Sequence, residues 1–125
     1  MHIVILADPI DNQRAGVYVY TKNLIEQLLK IDKKNKYSFI HEQKNAFFNK
    51  TNNYIIPKKN RPGYGTYRKF FLIPKLIKKL KPDIVFEPCH IGPFRTPPSA
   101  KRVVMIHDLS PILFPEFHIK RSAII

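Results

Sequence analysis

The chain is poor in cysteine, glycine and acidic residues, and each shortage excludes something. One cysteine, Cys89, stands in 125 residues. No internal disulfide can form, and no Cys/His spacing fits a zinc site. The compartment expected is the reducing cytoplasm. Cys89 reads as a partly buried thiol, with a reactive strand-end thiol as the alternative. There are four glycines, and they form no G-x-G-x-x-G after the first strand and no Walker A loop. Dinucleotide and P-loop readings fall with them. No apolar run approaches the roughly 18 residues of a membrane-spanning helix. The N-terminus lacks the basic start, long apolar stretch and cleavage site of a secretory signal.

Acid is the scarcest class relative to its opposite. Nine Asp and Glu face 22 Lys and Arg, a net charge of +13. Such a balance favours anionic partners, whether nucleic acid, anionic lipid or phosphorylated substrates. The plainer alternative is a solvated lysine-rich surface. No nucleic-acid module is recognisable, and aromatics do not alternate with basic residues as a stacking platform would require.

What is present is a folded domain's pattern. Hydrophobic residues make up 44%, and 125 residues suffice for one domain with one core. His2 to Ala7 is a nearly continuous apolar strand, which suits burial on both faces of a parallel sheet. Asp8 to Gly16 is a polar loop. Val17 to Lys30 has the helical period, with Val17, Tyr20, Leu24, Leu28 and Ile31 on one face and Thr21 and Ile25 beside it. Glu26, four residues before Lys30, is placed for an ion pair. Tyr37 to His41 is a second strand, Glu42 to Asn53 a loop, Tyr54 to Ile56 a short strand, and Lys58 to Gly65 a basic loop. Thr66 to Lys81 is a basic amphipathic helix in which Pro74 kinks the chain or starts a second half. Its apolar face suits a crossover packed on a sheet, with the lysines as peripheral attraction to anionic lipid. Ile84 to Phe86 is a buried strand, Pro88 to Ala100 a proline-rich loop, and Val103 to Ile106 another buried strand. Strands alternating with helices give a Rossmann-like, three-layer α/β fold with a parallel sheet.

Three places carry chemistry. Gly16, at the entry to the first helix, serves either the turn alone or a close ligand approach. The N–H groups of Val17, Tyr18 and Val19 would then face a phosphate. His107 and Asp108 follow a strand end, where open parallel sheets bind ligands. His107 fits either a structural role or contact with a sugar hydroxyl, a phosphate or a proton in transfer. Asp108 would orient it or cap the next turn. Glu87 and His90, after the preceding strand, would face the same crevice as acceptor contacts, or be ordinary loop residues.

These pieces resemble glycosyltransferase family 4. Arg14 to Leu24 is similar to that family's glycine loop and first helix. Leu80-Lys81-Pro82-Asp83-Ile84-Val85 is similar to its "L-K-P-D-[IV]-[VI]" strand entry. Val104-Met105-Ile106-His107-Asp108-Leu109 is similar to its strand exit, and Phe114-Pro115-Glu116 to the "F-P-E" that follows. The resemblance implies the N-terminal, acceptor-side half of a two-domain GT-B enzyme, with residues 1–125 as that domain and the C-terminal nucleotide-sugar domain absent. It implies a retaining transfer of hexose from a nucleotide-sugar, used as co-substrate with no other cofactor, to a lipid-linked or polysaccharide acceptor of the cell envelope. It places the enzyme in the cytoplasm, at the inner face of the membrane. Gly16 and Val17 would approach the donor phosphate or sugar, and His107, with Asp108, would act at the hexose. Asp8 and Asp11 lack the D-x-D spacing of metal-dependent sugar transferases, so no metal is assigned. Where many members have two adjacent glycines, position 15 is alanine. The 125 residues alone are expected to be catalytically silent. The alternatives are a non-catalytic, membrane-associated subunit of a split transferase and, more remotely, a basic nucleic-acid-binding protein.

Overall fold

A computed structural model of the chain describes residues 1–89 and 95–117. Five strands form one all-parallel sheet in the order β3-β2-β1-β4-β5. They are β1 (His2–Leu6), β2 (Lys36–His41), β3 (Asn52–Ile55), β4 (Ile84–Glu87) and β5 (Lys101–Val104). Helix α2 (Ala15–Ile31) connects β1 to β2, and a helical rod over α3 (Tyr64–Tyr67) and α4 (Ile73–Leu80) connects β3 to β4. Right-handed crossovers running in opposite directions from a central strand land on opposite faces. The result is the expected three-layer, Rossmann-like α/β arrangement.

The alternation of β1 divides the core. Ile5 and Ala7 join Ile10, Ile25, Phe39 and Phe48, with Tyr18, Leu28 and Leu29 of α2 packed against them. Val4 and Leu6 join Ile40, Val85, Ile73 and Ile77, with Leu76 and Leu80 of α4 against them. A strand buried on both faces needs apolar residues at every position, which is why β1 was readable as an unbroken run. In the "L-K-P-D" stretch, Lys81 closes α4 in a left-handed conformation (φ 50°) and the Asp83 carboxylate accepts from the His2 N–H at 2.7 Å. That motif pins the crossover to the start of β1.

Several expectations need correction. Asp8–Asn12 is a short helix, α1, rather than loop, opened by Pro9 and acidic residues in its first turn. On α2 the buried positions are Thr21 and Ile25, while Ile31 is 73% exposed. The core-facing stripe is therefore turned towards Tyr18, Thr21, Ile25 and Leu28. Glu26 pairs back to Lys22 at 3.9 Å rather than forward to Lys30, an exposed contact of little weight. β3 begins two residues early, at Asn52, because it pairs with Ser38–His41 along the sheet's outer edge. β5 is displaced in the same direction. Its register sets Lys101–Val104 against Ile84–Glu87, so it is a half-exposed strand ending before Met105 rather than a buried one ending at Ile106.

Pro74 starts the second half of its helix, one of the two expected roles: α4 begins at Ile73 with the proline in its first turn. A proline has no N–H for the carbonyl four residues back and clashes with it. Here the preceding turn, Arg68–Leu72, widens into a π turn in which the Ile73 N–H bonds the Arg68 carbonyl. In a regular α-helix, residues five apart point about 140° apart. The widened turn brings Arg68 and Ile73 to the same, buried side.

Candidate functional site

The chain leaves β1 for β2 on one side and later returns to place β4 on the other. The switch point therefore lies between β1 and β4, where open α/β sheets bind ligands beyond the carboxyl ends of their strands. A two-part crevice opens there. A polar basin of about 340 Å³ is lined by Asp8, Arg14, Glu42, Lys58, Arg68 and Lys69 among others. An apolar recess of about 240 Å³ is lined by Ile106, His107, Asp108, Leu109 and Ile112. Val17 and Cys89 belong to both.

The basin floor is an ion pair built by the π turn. Arg68 Nη1 and Nη2 donate to the two Asp8 carboxylate oxygens at 2.7 and 2.9 Å, and Arg68 Nε donates to the Ile56 carbonyl at 2.8 Å. Both side chains are largely buried. Two parallel bonds fix the fork's orientation, so the start of α1, the end of β3 and the helical rod are locked at one point. A second buried network holds the wall. The Asp11 carboxylate accepts from the backbone N–H of Glu42 (2.7 Å) and Gln43 (3.0 Å) and from Asn45 Nδ2 (2.9 Å), and lies 3.0 Å from His41 Nδ1. It presents Glu42 to the basin. Burial, reinforced by the nearby Asp8 charge, pushes the Glu42 carboxyl above its ordinary range, against the pull of Lys58 and Arg68. With Arg14, Lys58 and Lys69 around it, this half-buried carboxylate sits in a basin suited to a polar ligand bearing hydroxyl and anionic groups.

In the recess, His107 Nε2 donates to the Pro88 carbonyl at 2.5 Å. A carbonyl only accepts, so the neutral ring keeps its lone pair on Nδ1. The Tyr20 ring of α2 meets the imidazole edge-on, centroids 4.9 Å apart. His107 is thus held between the end of β4 and the first turns of α2. Asp108 accepts from the backbone N–H (2.7 Å) and hydroxyl (2.6 Å) of Ser110. That is the turn-capping arrangement, made at the mouth of the recess. Cys89 is partly buried, and burial together with Glu87 raises its thiol pKa. It therefore stays protonated and is a poor nucleophile.

Gly16 does not occupy the loop. It lies in the first turn of α2, and a Cβ there would meet nothing within 4 Å. The positive φ angles fall on Gln13 (49°) and Ala15 (39°) instead. Tyr18 N already bonds the Arg14 carbonyl, so the N–H groups without an intrahelical partner are those of Ala15, Gly16 and Val17. Val17 is central to the crevice and shares the recess with His107 and Asp108. Glu87 is fully buried and bound to Arg102 of β5, beneath the crevice rather than in it. His90 lies outside the described residues. Sequence reasoning missed Arg68, Glu42, Lys58 and Lys69. The only advance signal was Asp8, a carboxylate at the end of the first strand. Among the described residues no cluster of His, Cys, Asp and Glu could hold a metal ion, and no helix is long and apolar enough to cross a membrane. Comparisons with protein-family models, with curated proteins and with solved structures return no match.

Proposed function

We propose that this domain is the acceptor-side half of a glycosyltransferase of the GT-B type, acting in the cytoplasm on a lipid-linked or polysaccharide acceptor. One observation carries the reading: Val17, from the first turn of α2, and His107, from the end of the sheet, line one recess that continues into a basin of Glu42, Lys58 and Lys69. In this reading the unpaired N–H groups at the start of α2 and the basin's cationic rim meet the donor's phosphates. Glu42 accepts hydrogen bonds from sugar hydroxyls. His107 offers Nδ1 to the transferred hexose, its ring fixed by Pro88 and Tyr20. The nucleotide of the donor is held by a further domain.

The test is a transfer assay on the natural gene product. It uses radiolabelled uridine- and guanosine-diphosphate hexoses with polyprenyl-phosphate and oligosaccharide acceptors. Label is expected in an acceptor, with a roughly 10²-fold loss in His107→Ala, in the range for a lost positioned catalytic contact. No turnover of any donor, or full turnover by His107→Ala, overturns the reading.

A further inference from the structure

Behind the basin wall lies a buried pair that the crevice chemistry does not use. His41 ends β2, and its side chain and that of Asp11 are 0% and 1% exposed. His41 Nδ1 stands 3.0 Å from the Asp11 carboxylate, and Nε2 stands 2.9 Å from Asn53 Oδ1. Asp11 already accepts from the Glu42 and Gln43 N–H groups and from Asn45 Nδ2, as an ionised carboxylate does. The Asn53 amide is fixed in its orientation, because Nδ2 donates to the Phe48 and Thr51 carbonyls at 3.0 and 3.1 Å. Turned over, its oxygen would face both. The ring therefore has an acceptor on each side, and two acceptors require a proton on each nitrogen, which is the imidazolium. The Phe48 ring lies across the imidazole, centroids 4.1 Å apart and planes tilted by 32°, and an aromatic face attracts a cation. Among the described residues, His41 is also the one side chain that Asp11 has at ion-pair distance. A neutral ring would leave that buried carboxylate unbalanced, which is costly.

We infer that His41 is carried as an imidazolium and is a positioning residue for Glu42: the cation fixes Asp11, and Asp11 fixes the backbone from which Glu42 enters the basin. Loss of either ring proton sets a bare lone pair against Asp11 or Asn53 and slackens that wall. The basin then keeps its shape only while the ring keeps both protons. Of the elements packed around His41, α1 brings Asp11, with Asp8 one turn before it, and β3 brings the neutral Asn53. The chain after β2 brings Glu42, Asn45 and Phe48, and the neighbouring end of β1 is apolar. Lys58 and Arg68 act on Glu42 from across the basin, as do Asp8 and Asp11. Arg68 is taken up by Asp8 through two hydrogen bonds, so the Asp11 charge is left to His41. The inference concerns the shape of the basin and not what it transfers, so it is tested without substrate.

The experiment is nitrogen-15 NMR of the folded protein, with amide exchange followed in the same samples. At pH 7, where an ordinary exposed histidine is mostly neutral, the His41 ring is expected to show two protonated nitrogens. As the pH is raised, exchange protection at the Glu42 and Gln43 amides should fall about tenfold or more where the ring loses a proton, while Val4 and Val85 of the inner strands keep theirs. His41→Gln, which supplies no cation, should lower the Glu42 and Gln43 protection about tenfold or more already at pH 7. A ring with one protonated nitrogen at pH 7 overturns the inference. So does protection that fails to follow the ring, or that survives in His41→Gln. Should that variant fail to fold, the wild-type titration decides alone.

Discussion

Asp8 and Arg68 at the basin floor are bound to each other twice, and both are largely buried. Across Val17, the recess is walled by Ile106, Leu109 and Ile112, all about half exposed, and by a His107 with one hydrogen bond to a backbone carbonyl. The two sides of one crevice thus differ in what holds them. The pair at the basin floor is part of the fold's framework, and neither partner can be removed without disturbing three elements. The recess hangs from the sheet's exposed edge, and its apolar walls stand half open to solvent. A buried charge pair is a poor place to look for a moving proton. A histidine held by a backbone carbonyl and a ring edge, with no charged partner, beside a helix start is a better one.

The difference can be broken most severely at Arg68. Arg68→Leu leaves Asp8 buried and unpaired, and stability should fall by about 3–5 kcal/mol in urea denaturation. Asp8→Leu/Arg68→Met, which removes both charges, should recover part of that loss. A loss below about 1 kcal/mol in the single variant would remove the pair from the framework. The recess should respond in the opposite way. His107→Ala should shift the urea midpoint by less than about 1 kcal/mol while lowering transfer roughly 10²-fold, and a large stability loss would show that the recess too is framework.

Smaller effects sharpen the picture between the two. Ala15 holds a left-handed backbone at the foot of α2, which costs an L-residue about 1–2 kcal/mol. Ala15→Gly should raise stability by about 1 kcal/mol, read from the same denaturation curve. Glu42→Gln should have the smallest effect, and one that depends on pH. The folded carboxyl titrates above the ordinary 4.5, so the folded state binds the proton more tightly than the unfolded one. Stability is then lost as pH rises from the unfolded pKa through the folded one. Glu42→Gln should therefore be the more stable protein at pH 7, with the advantage gone below pH 4. A uniform offset across pH would argue against a strained carboxylate.

Much of the framework was legible in the chain. β1, β4 and α2 declare themselves because buried strands need apolar runs and a surface helix needs its 3.6-residue period. The edge strands do not. Asn52 and Lys101 enter β3 and β5 because backbone bonds to an inner neighbour set the register, and an edge position tolerates polar side chains. The resemblance pointed to His107, and the structure places it with Val17. It also pointed to Gly16 as the loop's special residue, whereas the unusual backbone belongs to Ala15, where many members of that family have a second glycine. The Asp8–Arg68 pair was invisible because its partners are sixty residues apart and meet only after Pro74 has widened a helical turn.

The position of β1 has a consequence for how the chain is made. β1 is the earliest strand and the middle of the sheet, so both neighbours emerge from the ribosome after it. β2 arrives once α2 has been synthesised, but β4 follows only after the whole basic segment. Until then the nascent protein carries Ile3–Leu6 with one flank unpaired. Parallel pairings of long sequence separation close slowly and leave aggregation-prone edges on the way. The lysine-rich stretch that separates β3 from β4 is also what trails from the ribosome during that wait. A net charge far from zero opposes association between chains, so this stretch is expected to counter aggregation through the open flank of β1.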